Sequence, residues 1–232
     1  MTLRPLEIDP ELVRWDADGL CVAVAQDRLT GRVQMVAWMN REALAKTIAE
    51  KRATFYSRQR KRLWTKGETS GHHLAIDTVY LDCDCDTILL AVSPNGPSCH
   101  TGEATCFFRA IEEVDGQAEL HPVTPAAPVL DELEREIAAR KRTTDDARPS
   151  YTRSLLDGGP KAIGAKLREE ADELARAIDG EDDTRVASEA ADVLYHLLVG
   201  LASREVPLRA VLEALLKRRG KTGLEEKAGR GR

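Results

Sequence analysis

Short apolar runs separated by polar turns occupy the first half of the chain, a pattern typical of strands. Residues 20–26 and 33–39 are two such runs, and the polar segment 27–32 between them predicts a turn. Asn40 is a favourable N-cap, so we predict a helix from there through Glu50. These elements indicate a mixed α+β domain.

Three further runs continue this pattern. Residues 54–57 form a short apolar and aromatic run, residues 74–81 alternate, and residues 106–111 predict the last strand of the domain. The strands are separated by turn-rich segments instead of long helices. The first half is therefore predicted to build a sheet with little helical cover.

From residue 129 the apolar spacing changes to the helical period. We predict helices beginning at residue 129, over 163–178 and 185–203, and from Pro207 onward. Residues 140–149 are polar and predict a loop, and those after Gly220 are expected to fray. The second half is predicted to be all-α.

The change of pattern coincides with three prolines in segment 121–128, which predicts a linker. We therefore expect an α+β metal-binding domain over residues 1–120 and a helical domain over residues 129–232.

Composition restricts the class of protein. A formal net charge of −5 argues against a general nucleic-acid binder, and no apolar run is long enough to span a membrane. Five cysteines, an odd number crowded among acids, fit metal binding in a reducing compartment better than a disulfide framework. These features predict a soluble cytoplasmic protein.

The most unusual stretch follows the strand at 74–81. Aspartates and cysteines alternate there: Asp82, Cys83, Asp84, Cys85 and Asp86. If residues 80–92 are extended, the carboxylates lie on one face and the two thiols on the other. Carboxylates suit magnesium or manganese, and thiolates suit zinc. A solvated strand face with buried cysteines is the alternative, but three like charges in five residues favour a bound cation.

Cys99, His100 and Cys106 follow on the far side of a Pro/Gly turn. Three cysteines on one zinc leave its fourth position for water, which is the arrangement of a catalytic site. His100 is placed to take the proton of that water. A structural histidine is the alternative at this position.

A basic stretch precedes the acidic one. Five cations fall within nine residues: Arg58, Arg60, Lys61, Arg62 and Lys66. Trp64 lies among them, and Gly67 and Gly71 flank the hydroxyl donors Thr69 and Ser70. Cations with exposed backbone amides suit a phosphate, and an aromatic ring suits a base. A solvated basic surface explains the cations equally well.

The second half carries acids at helical spacing. Glu169, Glu170 and Glu173 share an arc with Lys166, and the acids of the next helix, Glu189 and Asp192, share a face with His196. Five carboxylates at one seam need cations, and magnesium with substrate phosphates is the natural choice. Surface salt bridges are the alternative reading of the first three acids.

The first half resembles phosphoribosyl-AMP cyclohydrolase. The resemblance rests on GRVQMVAWMNREAL (31–44), FYSR (55–58), WTKGETSGH (64–72), DCDCDT (82–87) and CHTGEATCF (99–107). It implies hydrolytic opening of the adenine ring between N1 and C6, magnesium on Asp82, Asp84 and Asp86, and zinc on Cys99 and Cys106. It also implies that Cys83 reaches the zinc of a partner subunit. Cys85 occupies a variable place in this motif, and its role stays undecided.

The second half resembles the all-α nucleotide pyrophosphohydrolases related to MazG and dUTPase. Motifs SYTRSLL (150–156) and EAADVLYH (189–196) narrow the resemblance to phosphoribosyl-ATP pyrophosphohydrolase, over roughly 129–219. The metal ligands it implies are Glu169, Glu170, Glu173, Glu189 and Asp192. The phosphate or ribose contacts it implies are Ser150, Tyr151, Thr152 and Arg153.

Together the resemblances imply a bifunctional enzyme of histidine biosynthesis that acts on small nucleotides, without nucleic acid or membrane as partner. They imply one zinc in each cyclohydrolase site, magnesium in both halves, and a homodimer that shares the cyclohydrolase site. A zinc-stabilised binding module joined to a helical dimerisation domain is the alternative. That alternative leaves the acidic seam and the basic stretch unexplained.

Overall fold

The fold is described from a computed structural model covering residues 9–114, 117–122, 128–142 and 150–218. The chain divides into two compact units, Met1–Pro128 and Val129–Arg232. The first unit is sheet-rich and the second is helical, as the hydrophobic pattern predicted.

The first unit is built on a six-stranded sheet. Its helices are a 3-10 turn at Pro10–Leu12 and α1 (Arg41–Glu50); its strands are β1 (Cys21–Asp27), β2 (Val33–Met39), β3 (Thr54–Ser57), β4 (Arg62–Thr65), β5 (Leu74–Leu81), β6 (Thr87–Pro94), β7 (Arg109–Val114) and β8 (Gln117–Pro122). The order in the sheet is β4-β3-β2-β1-β6-β5, with β1 and β6 parallel and the other neighbours antiparallel. Strands β7 and β8 form a separate hairpin.

The alternation of buried and half-buried residues explains the position of the central strand β1. Every second residue of β1 is buried, and Ala23 and Ala25 are fully enclosed between β2 and β6. Helix α1 begins at Asn40, whose side-chain oxygen accepts a hydrogen bond from the backbone N–H of Ala43 at 2.8 Å. Its buried face, which includes Leu44, joins the core of the sheet.

The predicted strands over 20–26, 33–39, 54–57 and 74–81 and the predicted helix α1 are confirmed to within one residue. Strand β4 was not predicted, because the cations around it obscure its pairing with β3. The strand predicted over 106–111 begins at Arg109, because Cys106 lies in a loop and its backbone N–H donates to the carbonyl of Gln34 on β2. It is also not the last strand of the first unit as predicted, since β8 follows it.

The predicted linker also begins too early. Strand β8 continues through Pro122, with His121 paired to Ala110 on β7, so the first two residues of 121–128 belong to a hairpin. Residues 123–127 lie outside the described residues.

The helices of the second unit are α2 (Val129–Arg142), α3 (Tyr151–Gly180), α4 (Asp183–Ser203) and α5 (Leu208–Arg218). Their buried contacts come from Ile137, Leu155, Ile163, Leu198, Val199 and Leu208. Helices α3 and α4 pack along each other, which places the acidic motifs of the two helices side by side. No helix in the described part of the chain is long and apolar enough to cross a membrane.

Two helix boundaries differ from the prediction. The loop at 140–149 was placed too early, since α2 runs through Arg142; residues 143–149 lie outside the described residues. Helix α3 begins at Tyr151 instead of residue 163, because it continues through a kink at Gly159, which has φ +71° and precedes Pro160. A proline or a glycine with this backbone normally interrupts a helix, and here residues 151–158 continue into the rest of α3 across the kink.

Candidate active sites

The acidic stretch is a turn that joins β5 to β6, and the prediction of an extended strand over 80–92 is wrong for residues 82–86. Asp82 closes the turn, because its side chain accepts from the N–H of Thr87 at 3.0 Å. Cys85 adopts a left-handed conformation with φ +64°, which reverses the chain. Its carbonyl accepts from the N–H of Arg14 at 2.7 Å, so the turn is tied to the N-terminal segment.

This turn brings three exposed carboxylates together. One oxygen from each of Asp82, Asp84 and Asp86 lies within 4.8 Å of the others. Hydrogen bonds from Thr87 hold the pKa of Asp82 below its ordinary value, so this carboxyl stays ionised. The exposed guanidinium of Arg14 lies 3.9 Å from Asp84. Three carboxylates this close together could hold a hard divalent cation.

Because residues 82–86 form a turn, the cysteines are not sorted to an opposite strand face as predicted. Cys83 is exposed and Cys85 is half-buried. The thiol of Cys83 lies 3.9 Å from a carboxylate oxygen of Asp84. Within one chain Cys83 therefore belongs to the acidic turn.

A second thiol group lies in the loop before β7. The sulfur of Cys99 is buried and accepts from the hydroxyl of Thr101 at 3.1 Å, and its neighbour in space is the thiol of Cys106. Burial favours the neutral form of Cys99, but hydrogen bonds from Thr101 and Cys106 outweigh it and lower its pKa. Loss of water around the Cys106 thiol, and then the charge of Cys99, raise its pKa to about 11. The thiol of Cys99 thus ionises more readily than that of Cys106.

Lys66 is buried, unlike the exposed cations of the basic stretch. It is 8% exposed, and its Nζ donates to the carbonyl of His72 at 2.9 Å. Burial lowers its pKa, and the charges of Cys106 and Cys99 oppose that effect. Gly67 permits this fold, because a Cβ there would lie 2.5 Å from the backbone of His72. The role of Lys66 as a substrate contact stays a prediction, and its ammonium group is enclosed in this structure.

The other residues of the basic stretch are distributed differently. Arg58 is exposed and stacks over the ring of Trp38 at 4.5 Å. Arg62, Thr69 and Ser70 are exposed. The ring centroids of Trp64 and Phe55 are 5.1 Å apart, and Trp64 packs against the core. Its ring therefore contributes to the fold, whether or not it also contacts a ligand. His100 is exposed, and its Nδ1 lies 3.9 Å from the sulfur of Cys99.

In the second unit three of the five predicted ligands meet. Carboxylate oxygens of Glu170 and Glu173 on α3 and Glu189 on α4 lie within 4.8 Å of one another. Glu189 is only 2% exposed, and its Oε2 is buried without a hydrogen-bond partner. Arg185 donates to the other oxygen at 2.6 Å. An unsatisfied buried carboxylate oxygen beside two further acids is a position for a cation.

Electrostatics support this reading of the glutamate trio. Burial and the nearby charges of Glu173 and Asp192 raise the pKa of Glu189 above its ordinary value, against the opposing effect of Arg185. Lys166 is held by Glu170 at 2.8 Å and Glu169 at 3.1 Å, and these bonds raise the pKa of its ammonium group. The remaining two predicted ligands lie outside the trio: Glu169 is exposed beside Lys166, and Asp192 is exposed on α4.

Most of the residues predicted to contact substrate at the start of α3 make hydrogen bonds within the protein. Ser150 caps the helix by accepting from the N–H of Arg153 at 3.4 Å. Thr152 is buried with its hydroxyl 2.7 Å from that of Tyr195. The guanidinium of Arg153 donates to Asp157 at 3.0 Å. Tyr151 is the one exposed residue among these four.

His196 is a residue that sequence reasoning placed on the acidic face without giving it a role. It is buried, its Nδ1 donates to the carbonyl of Asp192 at 2.8 Å, and its Nε2 therefore accepts from the hydroxyl of Tyr151 at 3.1 Å. Its ring also lies 3.9 Å from Glu170. His196 thus connects Tyr151 at the start of α3 with Glu170 of the glutamate trio. The feature of the sequence that indicates this is its position four residues after Asp192, which places it on the acidic face of α4.

Comparisons with known proteins identify both halves. Residues 35–108 match the family model for phosphoribosyl-AMP cyclohydrolase, and residues 130–219 match that for phosphoribosyl-ATP pyrophosphohydrolase. A chloroplastic histidine biosynthesis bifunctional protein hisIE of Arabidopsis thaliana is 45% identical over 222 residues, which are 94% of this chain and 79% of that protein. The bifunctional protein HisIE of Wolinella succinogenes is 41% identical over 222 residues, covering 94% and 96%. HisIE of Photobacterium profundum is 44% identical over 210 residues, covering 90% and 97%.

Proposed function

We propose a mechanism for each half of this chain from the premise that it belongs to the bifunctional HisIE family of histidine biosynthesis, which joins a phosphoribosyl-AMP cyclohydrolase to a phosphoribosyl-ATP pyrophosphohydrolase. The enzyme hydrolyses phosphoribosyl-ATP to phosphoribosyl-AMP and pyrophosphate. It then adds water to phosphoribosyl-AMP and breaks the N1–C6 bond of the adenine ring.

We assign pyrophosphate release to the glutamate trio of Glu170, Glu173 and Glu189. The observation that supports this assignment is the buried Oε2 of Glu189, which lacks a hydrogen-bond partner although two more carboxylates adjoin it. This donor set fits magnesium, which neutralises phosphate charge when bound. Lys166 positions Glu170, and Arg185 positions Glu189. We propose that Glu169 and Asp192 bind at the exposed rim of the same site.

Replacing Glu170 with Gln tests this site. Glu170→Gln removes one ligand charge and should abolish pyrophosphate release from phosphoribosyl-ATP, while ring opening of supplied phosphoribosyl-AMP persists. Asp172→Asn is the matched control, because Asp172 is an exposed acid two residues further along α3, outside the trio. Full pyrophosphate release by folded Glu170→Gln would remove Glu170 from the site.

We assign ring opening to the thiol pair of Cys99 and Cys106 together with His100. Two adjoining thiols, one of lowered pKa, fit zinc, which when bound makes water an effective nucleophile near neutral pH. The His100 imidazole is exposed beside Cys99 and takes the proton of the attacking water. Asp82, Asp84 and Asp86 are the proposed magnesium ligands, and their mutual proximity supports this.

A zinc site with three thiolates needs a third cysteine. Cys83 lies in its own chain's acidic turn, and among the described residues no group of three potential ligands includes Cys99 and Cys106. We propose that Cys83 of a second copy completes the site, so that the enzyme is a homodimer with a shared cyclohydrolase site.

Cys99→Ser tests the ring-opening site. The variant should lose both zinc and ring opening, because an alcohol is a far weaker zinc ligand than a thiolate. Zinc content after dialysis is expected at about one per chain in the parent enzyme. Circular dichroism checks that the variant is folded, and pyrophosphate release checks the second unit. Retention of zinc by Cys99→Ser would exclude Cys99 as a ligand.

The remaining proposals concern the substrate contacts, the fold class of the second unit and the cellular location of the enzyme. We propose that the exposed groups Arg58, Arg62, Thr69 and Ser70 contact the phosphate of phosphoribosyl-AMP, with Trp64 forming the wall behind them. Tyr151 is the proposed nucleotide contact in the second unit, whose helical fold we assign to the MazG-related class. Free thiols at a zinc site require a reducing environment, which supports a cytoplasmic enzyme.

A further inference from the structure

Gln34 is a buried amide in the otherwise apolar strand β2. Its side chain is enclosed, with 3% of the residue exposed, and its Oε1 accepts a hydrogen bond from the hydroxyl of Ser98 at 2.7 Å. Ser98 is equally buried, so water does not replace this bond if it is broken. Burying an amide is unfavourable unless it is hydrogen-bonded, and the contact with Ser98 therefore matters at this position.

The backbone of Gln34 binds a second part of the same loop. Its carbonyl accepts a hydrogen bond from the N–H of Cys106 at 2.9 Å. The hydroxyl of Thr105, which is fully buried, is shared between the carbonyls of Val33 at 2.7 Å and Gln34 at 3.2 Å. One residue of β2 thus holds the loop at Ser98 through its side chain and at 105–106 through its backbone.

These contacts lie next to both cysteines of the loop. Ser98 directly precedes Cys99, and the second contact is made at Cys106 itself and at Thr105 before it. Between the two ends, the N–H of Cys99 donates to the carbonyl of Glu103 at 3.0 Å, which closes the loop on itself. The position of each cysteine is therefore fixed relative to β2, and through β2 relative to the other cysteine.

We propose that Gln34 is a positioning residue that holds Cys99 and Cys106 at the spacing needed to bind zinc, an inference that rests on the proposed zinc role of these cysteines. Neither contact involves a sulfur, so Gln34 acts by arranging the ligands before the metal arrives. Such prior arrangement lowers the cost of ordering the site on binding, and residues just outside the ligands set metal affinity in this way. Any residue at position 34 offers the backbone carbonyl, but the bond to Ser98 needs a side-chain acceptor.

The test breaks the side-chain bond from each end and from both. Gln34→Leu removes the acceptor, Ser98→Ala removes the donor, and the double variant removes the two together. Ser93→Ala is the matched control, because the hydroxyl of Ser93 on β6 also donates at 2.7 Å, to Asp77 on β5. Zinc affinity is measured on the full-length metal-free proteins by competition with a chromophoric chelator, and urea unfolding of the same proteins gives their stability.

Gln34→Leu and Ser98→Ala should each bind zinc about 10- to 100-fold more weakly than the parent. The double variant should bind no more weakly than the weaker single variant, because both changes remove one and the same bond. Ser93→Ala should keep the zinc affinity of the parent, whatever stability it loses. If circular dichroism shows that Gln34→Leu is unfolded, Ser98→Ala gives the same test from the other end of the bond.

Parental zinc affinity in folded Gln34→Leu or Ser98→Ala would overturn the proposal. So would equal weakening by Ser93→Ala, which would make the effect one of general stability, and so would a double variant whose loss is the product of the two single losses. If the parent itself holds no zinc, or Cys99→Ser holds it as tightly, the proposed zinc site fails instead, so the two failures are distinguishable.

Discussion

At the scale of the residue, the two cysteines of the acidic turn have different backbones. Cys85 is left-handed with φ +64° and uses its carbonyl to hold Arg14, which is a structural task that needs no thiol. Asn adopts this conformation more readily than other residues with side chains. We therefore expect Cys85→Asn to keep full zinc content and ring opening, while Cys83→Ser loses both.

Zinc analysis and a ring-opening assay on the two purified variants check this prediction. Loss of zinc from folded Cys85→Asn would show that the sulfur of Cys85 is a ligand. In that case the expectation that Cys83 alone of this pair reaches zinc is wrong.

The acids were the part of the sites that spacing could predict. Glu170 and Glu173 are three residues apart, so they share one face of α3 in any tertiary structure. Where this face packs against the next helix, the two carboxylates meet that of Glu189. Lys66 and His196 could not be assigned in this way, because their contacts depend on the tertiary fold. A glycine turn brings the carbonyl of His72 to Lys66, and the packing of α3 on α4 brings the hydroxyl of Tyr151 to His196.

At the scale of the element, the kink in α3 has a single backbone cause. Gly159 has φ +71° and ψ −169°, a region that is essentially restricted to glycine. Gly159→Ala should therefore destabilise the second unit by about 1–3 kcal/mol. Gly164→Ala, in the regular part of the same helix, should stabilise it by about 0.5–1 kcal/mol, since its Cβ would meet only the end of Arg168 at 3.6 Å.

Urea unfolding of the full-length variants, followed by helical circular dichroism, gives both values. A neutral or stabilising effect of Gly159→Ala would mean that the helix tolerates a straight or differently bent path there. The Gly164 control separates this outcome from a general effect of alanine on helix propensity.

Most elements followed from local pattern, and the failure at the acidic stretch has a physical reason. Residues 82–86 alternate like a strand, yet hydrogen bonding between Asp82 and Thr87 and the reversal at Cys85 make them a turn. Aspartate side chains compete for backbone N–H groups in this way, and the period of a five-residue segment does not reveal it. The carboxylates still converge, so their proximity was predicted through the wrong local geometry.

At the scale of the whole molecule, the shared zinc site predicts complementation between two inactive chains. Cys83→Ser and Cys106→Ser should each lack ring opening alone. When they are unfolded and refolded together in equal amounts, half the dimers are mixed and each has one intact site, so about a quarter of the parent activity should return.

Pyrophosphate release confirms that the refolded mixture is native, and differently tagged chains confirm that mixed dimers are present. Absence of ring opening in such a mixture would place all three cysteines of each site on one chain. The zinc site would then no longer support the proposal of a homodimer.

The central claim is that one chain carries two independent active sites in its two units. Product analysis of variants supplied with phosphoribosyl-ATP tests it most directly. Cys99→Ser should convert the substrate to phosphoribosyl-AMP and one equivalent of pyrophosphate and stop there, whereas Glu170→Gln should leave phosphoribosyl-ATP intact yet open the ring of added phosphoribosyl-AMP. Loss of both reactions in either folded variant would contradict the account.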